Sequence, residues 1–562
     1  MKQNILERKK VFYRYGLFGL VLCCLFLAGF TITNTDYYFK IQKSIDIFGR
    51  VYKEITMNYV DEVDPEKFME AGIDGLLGTL DPYTNFINET EGDEVELITS
   101  GKYGGIGVTI GIRDGFITIV TCMEGYTAQR QGIQPGDRLL EVNGTSVIGF
   151  KPDAVRSMTR GEPGTEVRLK IEREGENKPL EFVLVREEIQ LKNISYSDFI
   201  GDGIAYVRLD RFSRGAGDAL RLAIKELRLK DSIKSMILDL RDNPGGLLDV
   251  AVDVVEKFVP KGSLVVSTRG RKSESEKKYF VVEEPMLPNV PLVILVNRNS
   301  ASASEIVAGA IQDLDRGIIL GVRTFGKGLV QTITPLSYNT QLKLTTAKYY
   351  TPSGRCIQEI DYLRKNKDGV FTATPESLRQ AYKTLKGRIE YDHGGVQPDT
   401  NVSEREYGAL HNELVRKSIY FKFAKNYSSI NKEYSPSAMT DVNLLNEFEE
   451  FVREQKFSYQ DECEMKLKEL RDVTEKGKYN SSVLEEIDRL NTILAREKET
   501  SIERHKNEIL RFLKMEIMAR YQGEHGRISA SLDGDVQVGV AKALLLNRVK
   551  YEQLLSYRGE KR

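Results

Sequence analysis

Between residue 189 and about residue 362, β-rich runs and helical stretches take turns along the chain. This alternation constrains the fold more than any other feature. Ile204–Leu209, Ser235–Leu240, Leu292–Val296 and Ile318–Val322 read as strands, with Asp218–Leu229, Leu248–Phe258 and Ser302–Leu314 as the helices between them. A helical crossover returns the chain to the same end of a sheet, so the block predicts an α/β core with a mainly parallel sheet. Sites in such folds lie beyond the carboxyl ends of the strands. Arg269–Lys278 reads as a charged, solvated loop.

The rest of the 562 residues organises around this block as further domains. Residues 1–35 read as a basic stub and membrane anchor. Lys2, Arg8, Lys9, Lys10 and Arg14 precede an uncharged run from Tyr15 to Ile32, long enough as a helix for about 27 Å. The positive flank is expected to stay cytoplasmic. A cleaved signal peptide is the alternative, although no small-residue cleavage site follows the run. Residues 36–87 read as helical, with a stripe of Ile41, Ile45, Phe48, Tyr52 and Ile55, then a second helix from Asp64-Pro65 through Leu80. Residues 88–188 mix glycine with β-branched residues and carry the hairpin signal Asn143-Gly144, which predicts a small β-rich module. Residues 189–402 hold the α/β core. Residues 403–562 turn charged and helical, with Arg496–Glu499 interrupting the apolar stripes, and read as a helical appendage.

Composition narrows the chemistry. Net charge is −1, from 81 basic and 82 acidic residues, which disfavours nucleic acid as a partner. The five cysteines include no CxxC pair, so neither a disulfide scaffold nor a zinc site is expected. Only four histidines occur, none before His393, so a nucleophile in the core needs another base.

Three segments at predicted strand ends can carry chemistry. In Asn299-Ser300-Ala301-Ser302-Ala303-Ser304-Glu305 a serine opens a helix whose amides and dipole can support an oxyanion. Ser302-x-x-Glu305 also fits a capping box that needs no catalysis. In Thr324-Phe325-Gly326-Lys327-Gly328-Leu329-Val330-Gln331 the apolar neighbours Phe325, Leu329 and Val330 point to a desolvated lysine, whose pKa falls toward that of a general base. A phosphate loop fails there because Gly328 stands where Ser or Thr would hold magnesium. In Leu238–Gly246 consecutive glycines leave amides free to face an anion. Each segment alone also reads as a plain turn. Together, in a core without histidine, they fit a serine nucleophile with a lysine base.

With these motifs, in this order, the chain resembles the carboxy-terminal processing peptidases, tail-specific serine–lysine proteases with a PDZ domain. The resemblance covers roughly residues 50–402 and includes Asn58–Asp61, Leu80–Thr84 and Gly394–Asp399. It implies a multidomain α/β protein: a mainly parallel-sheet α/β protease core preceded by a PDZ-like β-domain, with N- and C-terminal helical regions. It implies Ser302 as nucleophile, Lys327 as general base, Gln331 as the residue orienting that lysine, and Gly245 or Gly246 together with Ala303 as oxyanion donors. Arg241, Glu305, Asp313 and Thr324 receive supporting roles. On a straight strand Lys327 and Gln331 stand about 13 Å apart, so they meet only if Gly326 and Gly328 bend the chain.

Tyr103, Gly104, Gly105, Ile106, Gly107 and Val108 would bind the last residues of a substrate, their amides taking its carboxylate. The resemblance implies a serine endopeptidase of the bacterial envelope, single-pass in the inner membrane with its catalytic part periplasmic. It would cut proteins with unstructured C-terminal tails and need no cofactor or metal. A non-catalytic PDZ scaffold is the rival. The C-terminal helices would serve oligomerisation or a partner.

Overall fold

The computed structural model describes residues 36–89, 92–365, 371–435 and 439–556, which fall into two units, one ending at Phe86 and one beginning at Ile87. The stub and anchor expected at 1–35 lie outside the described residues; among the described residues no helix is long and apolar enough to cross a membrane. In the first unit residues 36–58 are helical. A second helix, Pro65–Leu77, is capped by Asp64, whose carboxylate accepts the Glu66 and Lys67 amides at 3.1 and 3.3 Å. It stops three residues short of the expected Leu80.

The second unit begins with a helix, Gly92–Ser100, inside the stretch expected to be β-rich. An antiparallel sheet follows in the order Val108–Arg113, Phe116–Cys122, Arg138–Val142, Glu166–Glu172, Leu180–Val185, with Ile119, Leu139, Val142, Val167 and Leu184 buried beneath it. Val108–Arg113 is its edge strand. Lys102–Gly105 leaves this sheet to pair with Glu187–Gln190.

The α/β core carries the expected sheet, in the order Ile194–Phe199, Ile204–Leu209, Ser235–Asp239, Leu292–Val296, Ile318–Gly321, Thr400–Asn401. Only its first pair is antiparallel. Leu292-Val293-Ile294-Leu295-Val296 is buried throughout, as a parallel strand covered on both faces must be. Leu292, Ile294 and Val296 face a cluster that includes Leu220 of helix Ala216–Lys230, Val254 of Leu248–Glu256 and Val307 of Ala303–Asp313. Val293 and Leu295 face Val538, Ala541, Leu544, Leu545, Tyr551 and Leu555, from the last two helices of the chain. The end of the C-terminal region is therefore no appendage. A parallel sheet needs cover on its second face, and these helices supply it.

One local reading is corrected. Arg269–Lys278 is a hairpin joining Leu264–Gly270 to Lys277–Phe280, in a second, antiparallel sheet with Gln341–Tyr350 and Leu329–Pro335. Arg269 lies over the Tyr350 ring at 4.3 Å, which gives its charged side chain an ordered place on the strand. Helix Ser481–Glu499 carries the charged stretch Arg496–Glu499 in its last turn, where Lys498 pairs with Glu464 at 2.6 Å. Helices Ala409–Arg416, Ile419–Ile430, Asp441–Glu454 and the first half of Lys506–Leu532 share their own core, with Leu414, Phe423, Phe448, Ile509 and Leu513 among its buried residues.

Candidate active site

The helix Ala303–Asp313 follows the strand Leu292–Val296 through a turn at the carboxyl end of the sheet, with Ser302 at its N-cap. Ser302 has φ 55° and ψ −112°, a sparsely populated conformation for a residue with a side chain, which costs roughly 1–3 kcal/mol. Neighbouring segments hold it there. Ser300 Oγ donates to the Leu240 carbonyl at 2.7 Å, Ser304 Oγ to the Asn243 carbonyl at 2.9 Å, and the Ala301 amide to the same carbonyl at 3.1 Å. The strained turn presents Ser302 to a cavity of about 490 Å³.

Lys327, Gln331, Gly245 and Gly246 line that same cavity. Lys327 precedes the strand Leu329–Pro335, in an irregular stretch that opens with Gly326 at φ 86°. A side chain at Gly326 would meet Glu359 Cβ at 2.6 Å, so only glycine allows this approach. The strand also shifts register between Val330 and Gln331. The chain is thus bent around Lys327, and Gln331 Nε2 donates to Thr345 Oγ1 at 3.2 Å. Of the apolar neighbours expected to dry the lysine, Leu329 is buried and Val330 half-buried, but Phe325 is 48% exposed and turns away.

Glu305 joins serine and lysine segments. It is fully buried. Oε1 accepts from Thr324 Oγ1 at 2.6 Å and the Gly326 amide at 2.7 Å; Oε2 accepts from the Lys327 and Ser302 amides, each at 2.9 Å. Burial pushes its carboxyl up to about 7, against the pull of those four donors. The expected capping box is thus made from the glutamate side, and its carboxylate serves the lysine loop as well. Tyr349 adds a second tie, its hydroxyl 3.1 Å from the Ser302 carbonyl and 2.6 Å from the Lys327 carbonyl. With burial and Glu305 nearby, that phenol stays protonated far above its ordinary range. Sequence reasoning missed Tyr349, which sits on a distant strand with no local signal.

The glycine loop is ordered by Asn243, buried within a motif already singled out. Its Nδ2 donates to the Leu209 carbonyl at 2.7 Å and its Oδ1 accepts the Gly245 amide at 2.9 Å. The Gly245 amide is therefore occupied, which removes it from the expected oxyanion pair. Gly245 serves by its size: a Cβ there would meet the Ala301 carbonyl at 2.6 Å and Ser302 Cβ at 2.9 Å. The Gly246 and Ala303 amides donate to no backbone acceptor among the described residues.

The remaining supporting residues diverge. Thr324 belongs to the Glu305 clamp. Arg241 and Asp313 do not line the cavity. Arg241 pairs with buried Asp239 at 2.6 Å and reaches Asp535 and Gln537 in the C-terminal region at 2.9 and 3.0 Å. Asp313 pairs with fully buried Arg355 at 2.9 Å. The cavity is completed by Leu97, Ile98 and Thr99 from the helix Gly92–Ser100, which the sequence reading did not anticipate.

In the β-module, Tyr103, Gly104 and Gly105 lie on the strand Lys102–Gly105, and Val108 opens the edge strand. The Gly104, Ile106 and Gly107 carbonyls accept the Gly161, Ala128 and Met123 amides at 3.2, 3.1 and 2.8 Å. The Ile106 and Gly107 amides donate to no backbone acceptor among the described residues. Arg160 lies over the Tyr103 ring at 4.6 Å. Among the described residues no cluster of three or more His, Cys, Asp or Glu could hold a metal.

Comparison with known proteins agrees with this layout. Residues 94–172 match the PDZ domain, residues 203–363 the peptidase family S41, and residues 410–545 the C-terminal helical domain of probable PDZ-proteases. A carboxy-terminal-processing protease of Bartonella bacilliformis is 37% identical over 356 residues, which cover 63% of this chain and 81% of the relative. Carboxy-terminal processing protease CtpB of Bacillus subtilis is 30% identical over 361 residues, 63% of this chain and 74% of the relative. A probable CtpA-like serine protease of Staphylococcus aureus is 32% identical over 368 residues, 63% of this chain and 73% of the relative. With a PDZ domain ahead of the α/β core and a helical domain behind it, the chain belongs to the carboxy-terminal processing proteases of peptidase family S41.

Proposed function

We propose that the chain is a serine endopeptidase in which Ser302 is the nucleophile, Lys327 the general base and Gln331 the residue that orients the lysine. The observation that carries this reading is the opening of Ser302 and Lys327 onto one cavity while both their backbones are fastened to a single buried carboxylate, Glu305. Ser302 Oγ attacks the scissile carbonyl as its proton passes to Lys327 Nζ. The carbonyl oxygen becomes an oxyanion, received by the Gly246 and Ala303 amides at the helix N-terminus. Collapse breaks the C–N bond, and the leaving amine takes the proton from Lys327. Water then attacks the acyl-enzyme with the same lysine as base, regenerating the serine.

The Tyr103–Val108 loop holds the end of an unstructured C-terminal tail. Two amides without internal acceptors suit a carboxylate, and an open edge strand suits β-addition. The uncharged run behind the basic N-terminal flank supports an inner-membrane anchor, with the catalytic part periplasmic. A scaffold without activity would have little reason to keep a strained serine beside a clamped lysine.

The test uses purified full chain and an unstructured reporter with a nonpolar C-terminal tail. Lys327→Ala is expected to keep its folded circular-dichroism spectrum and lose turnover. Cleavage at the wild-type rate would overturn the base assignment. Ile106→Asp is expected to weaken binding of a tail peptide, and unchanged affinity would remove the loop from recognition.

A further inference from the structure

The cavity at Ser302 has an uneven charge. Among the described residues its lining includes Arg211, Lys327 and Lys343 but no aspartate or glutamate. Lys327 is given to proton transfer in the reading above, which leaves Arg211 and Lys343 without a task. Most of their surroundings are apolar, with Leu97, Ile98, Leu247, Leu248, Ile306 and Ile333 among the lining residues.

Arg211 is half-buried, and its Nε is buried with no hydrogen-bond partner. The adjacent carboxylate, Asp210, pairs with Arg208 at 3.2 Å. Burial pulls the Arg211 guanidinium below its ordinary value, only partly offset by Asp210 and the Tyr103 phenol. A partly desolvated cation whose neighbouring carboxylate is paired elsewhere is costly unless a ligand supplies further opposite charge. The backbone fixes where that charge would be met. Arg211 directly precedes Phe212, whose amide donates to the Gly245 carbonyl at 3.1 Å and whose carbonyl accepts the Leu247 amide at 2.8 Å. The guanidinium is therefore carried on a segment stitched to the glycine loop, while Lys343 lines the same cavity from the strand Gln341–Tyr350.

We infer that Arg211, with Lys343 lining the same cavity, reads a carboxylate of the substrate near the bond that is cut. The inference rests on the protease reading above and adds a selectivity to it: the substrate segment entering this cavity is acidic, or ends there. A guanidinium can take a carboxylate with two parallel N–H···O bonds, and the apolar walls strengthen that contact relative to open water.

The experiment uses the full chain and unstructured reporters with one constant tail. In the first arm, Glu or Gln is placed in turn at each position flanking the cut bond. In the second, the interior is constant and the C-terminus is a free carboxylate or an amide. The wild type is expected to prefer the carboxylate form by about 3–10-fold in kcat/KM at low salt in one of the two arms, and less at high salt. Arg211→Gln is expected to bring that ratio toward one. Arg211→Glu is expected to turn the preference toward reporters with Lys at the same position. Collapse of the ratio in the first arm identifies an acidic side chain, and collapse in the second identifies the chain end.

Ratios near one in the wild type would overturn the inference, and so would ratios that survive both variants. A free-carboxylate preference surviving Arg211→Gln belongs to the Tyr103–Val108 loop and counts against Arg211. Failure of the wild type to cleave any reporter would overturn the protease reading and this inference with it. Failure of selectivity alone leaves the protease reading standing.

Discussion

Two carboxylates are fully buried near strand ends of the same core, and their surroundings differ in kind. Asp239 meets a fixed cation: the Arg241 amide, Nε and Nη2 donate to it at 2.9, 3.0 and 2.6 Å, and the Tyr206 hydroxyl at 2.5 Å. Burial would raise this carboxyl, but Arg241 and Tyr206 together hold it below the ordinary range. Glu305 meets four neutral donors instead, and there burial wins. The first arrangement ties the sheet to the C-terminal helices through Asp535 and Gln537. The second ties the serine turn to the lysine loop. One carboxylate secures the architecture, and the other sets the register of the site.

The largest expected effect is at Glu305. Glu305→Ala strips the acceptor from two buried and two partly buried donors, and leaving such groups unpaired costs roughly 1–3 kcal/mol for each buried one. Urea unfolding should show that loss, and kcat should fall with it at temperatures where the variant stays folded. A loss below about 1 kcal/mol would mean that the clamp does not hold the loop. Arg241→Met comes next. It leaves Asp239 without its cation, a change worth about 3 kcal/mol for a buried pair, yet kcat per folded molecule should fall less than in Glu305→Ala. Equal kinetic losses would erase the distinction between the two carboxylates.

A third effect, comparable in size to that of Arg241→Met, is in the pH dependence. The folded chain holds the Glu305 proton up to about pH 7, whereas the unfolded chain releases it near the ordinary glutamate value of 4.5. Between these values the folded state binds more protons. The group's stabilisation is therefore full below about pH 4.5 and is lost as pH rises through about 7. Asp239 behaves oppositely, its contribution lost only as pH falls below the ordinary aspartate range. Unfolding free energies of wild type and Glu305→Gln, measured from pH 4 to 8, should differ by an amount that declines with pH. A flat difference would contradict the buried-proton account.

The legible parts of this molecule are those where local pattern and tertiary role coincide. Leu292–Val296 has the expected bounds, because a strand buried on both faces needs a continuous apolar run, and Ile204–Leu209 has them too, its one charged residue, Arg208, half-buried. Ser302, Lys327 and the glycines lie on short motifs at strand ends, so their meeting at one cavity follows from topology. What escaped depends on distant packing. Tyr349 reaches the site from a strand nearly fifty residues beyond the serine, and nothing around it marks it. Gly92–Ser100 holds glycine and β-branched residues, which hid a helix. The last two helices read as an extension because their apolar residues announce burial but do not say against what. Gly245 was singled out correctly as a residue near the serine, but its amide proved committed to Asn243.

The central claim is that Ser302 attacks the substrate with Lys327 as its base, and trapping the acyl-enzyme tests it most directly. An activated ester of a tail-like peptide is mixed with the full chain, quenched in acid within the first turnover, and digested for mass spectrometry. The account predicts the acyl mass on the fragment containing Ser302, and no such adduct in Ser302→Ala or Lys327→Ala. An adduct on another residue, or one that forms at the wild-type rate without Lys327, would contradict it.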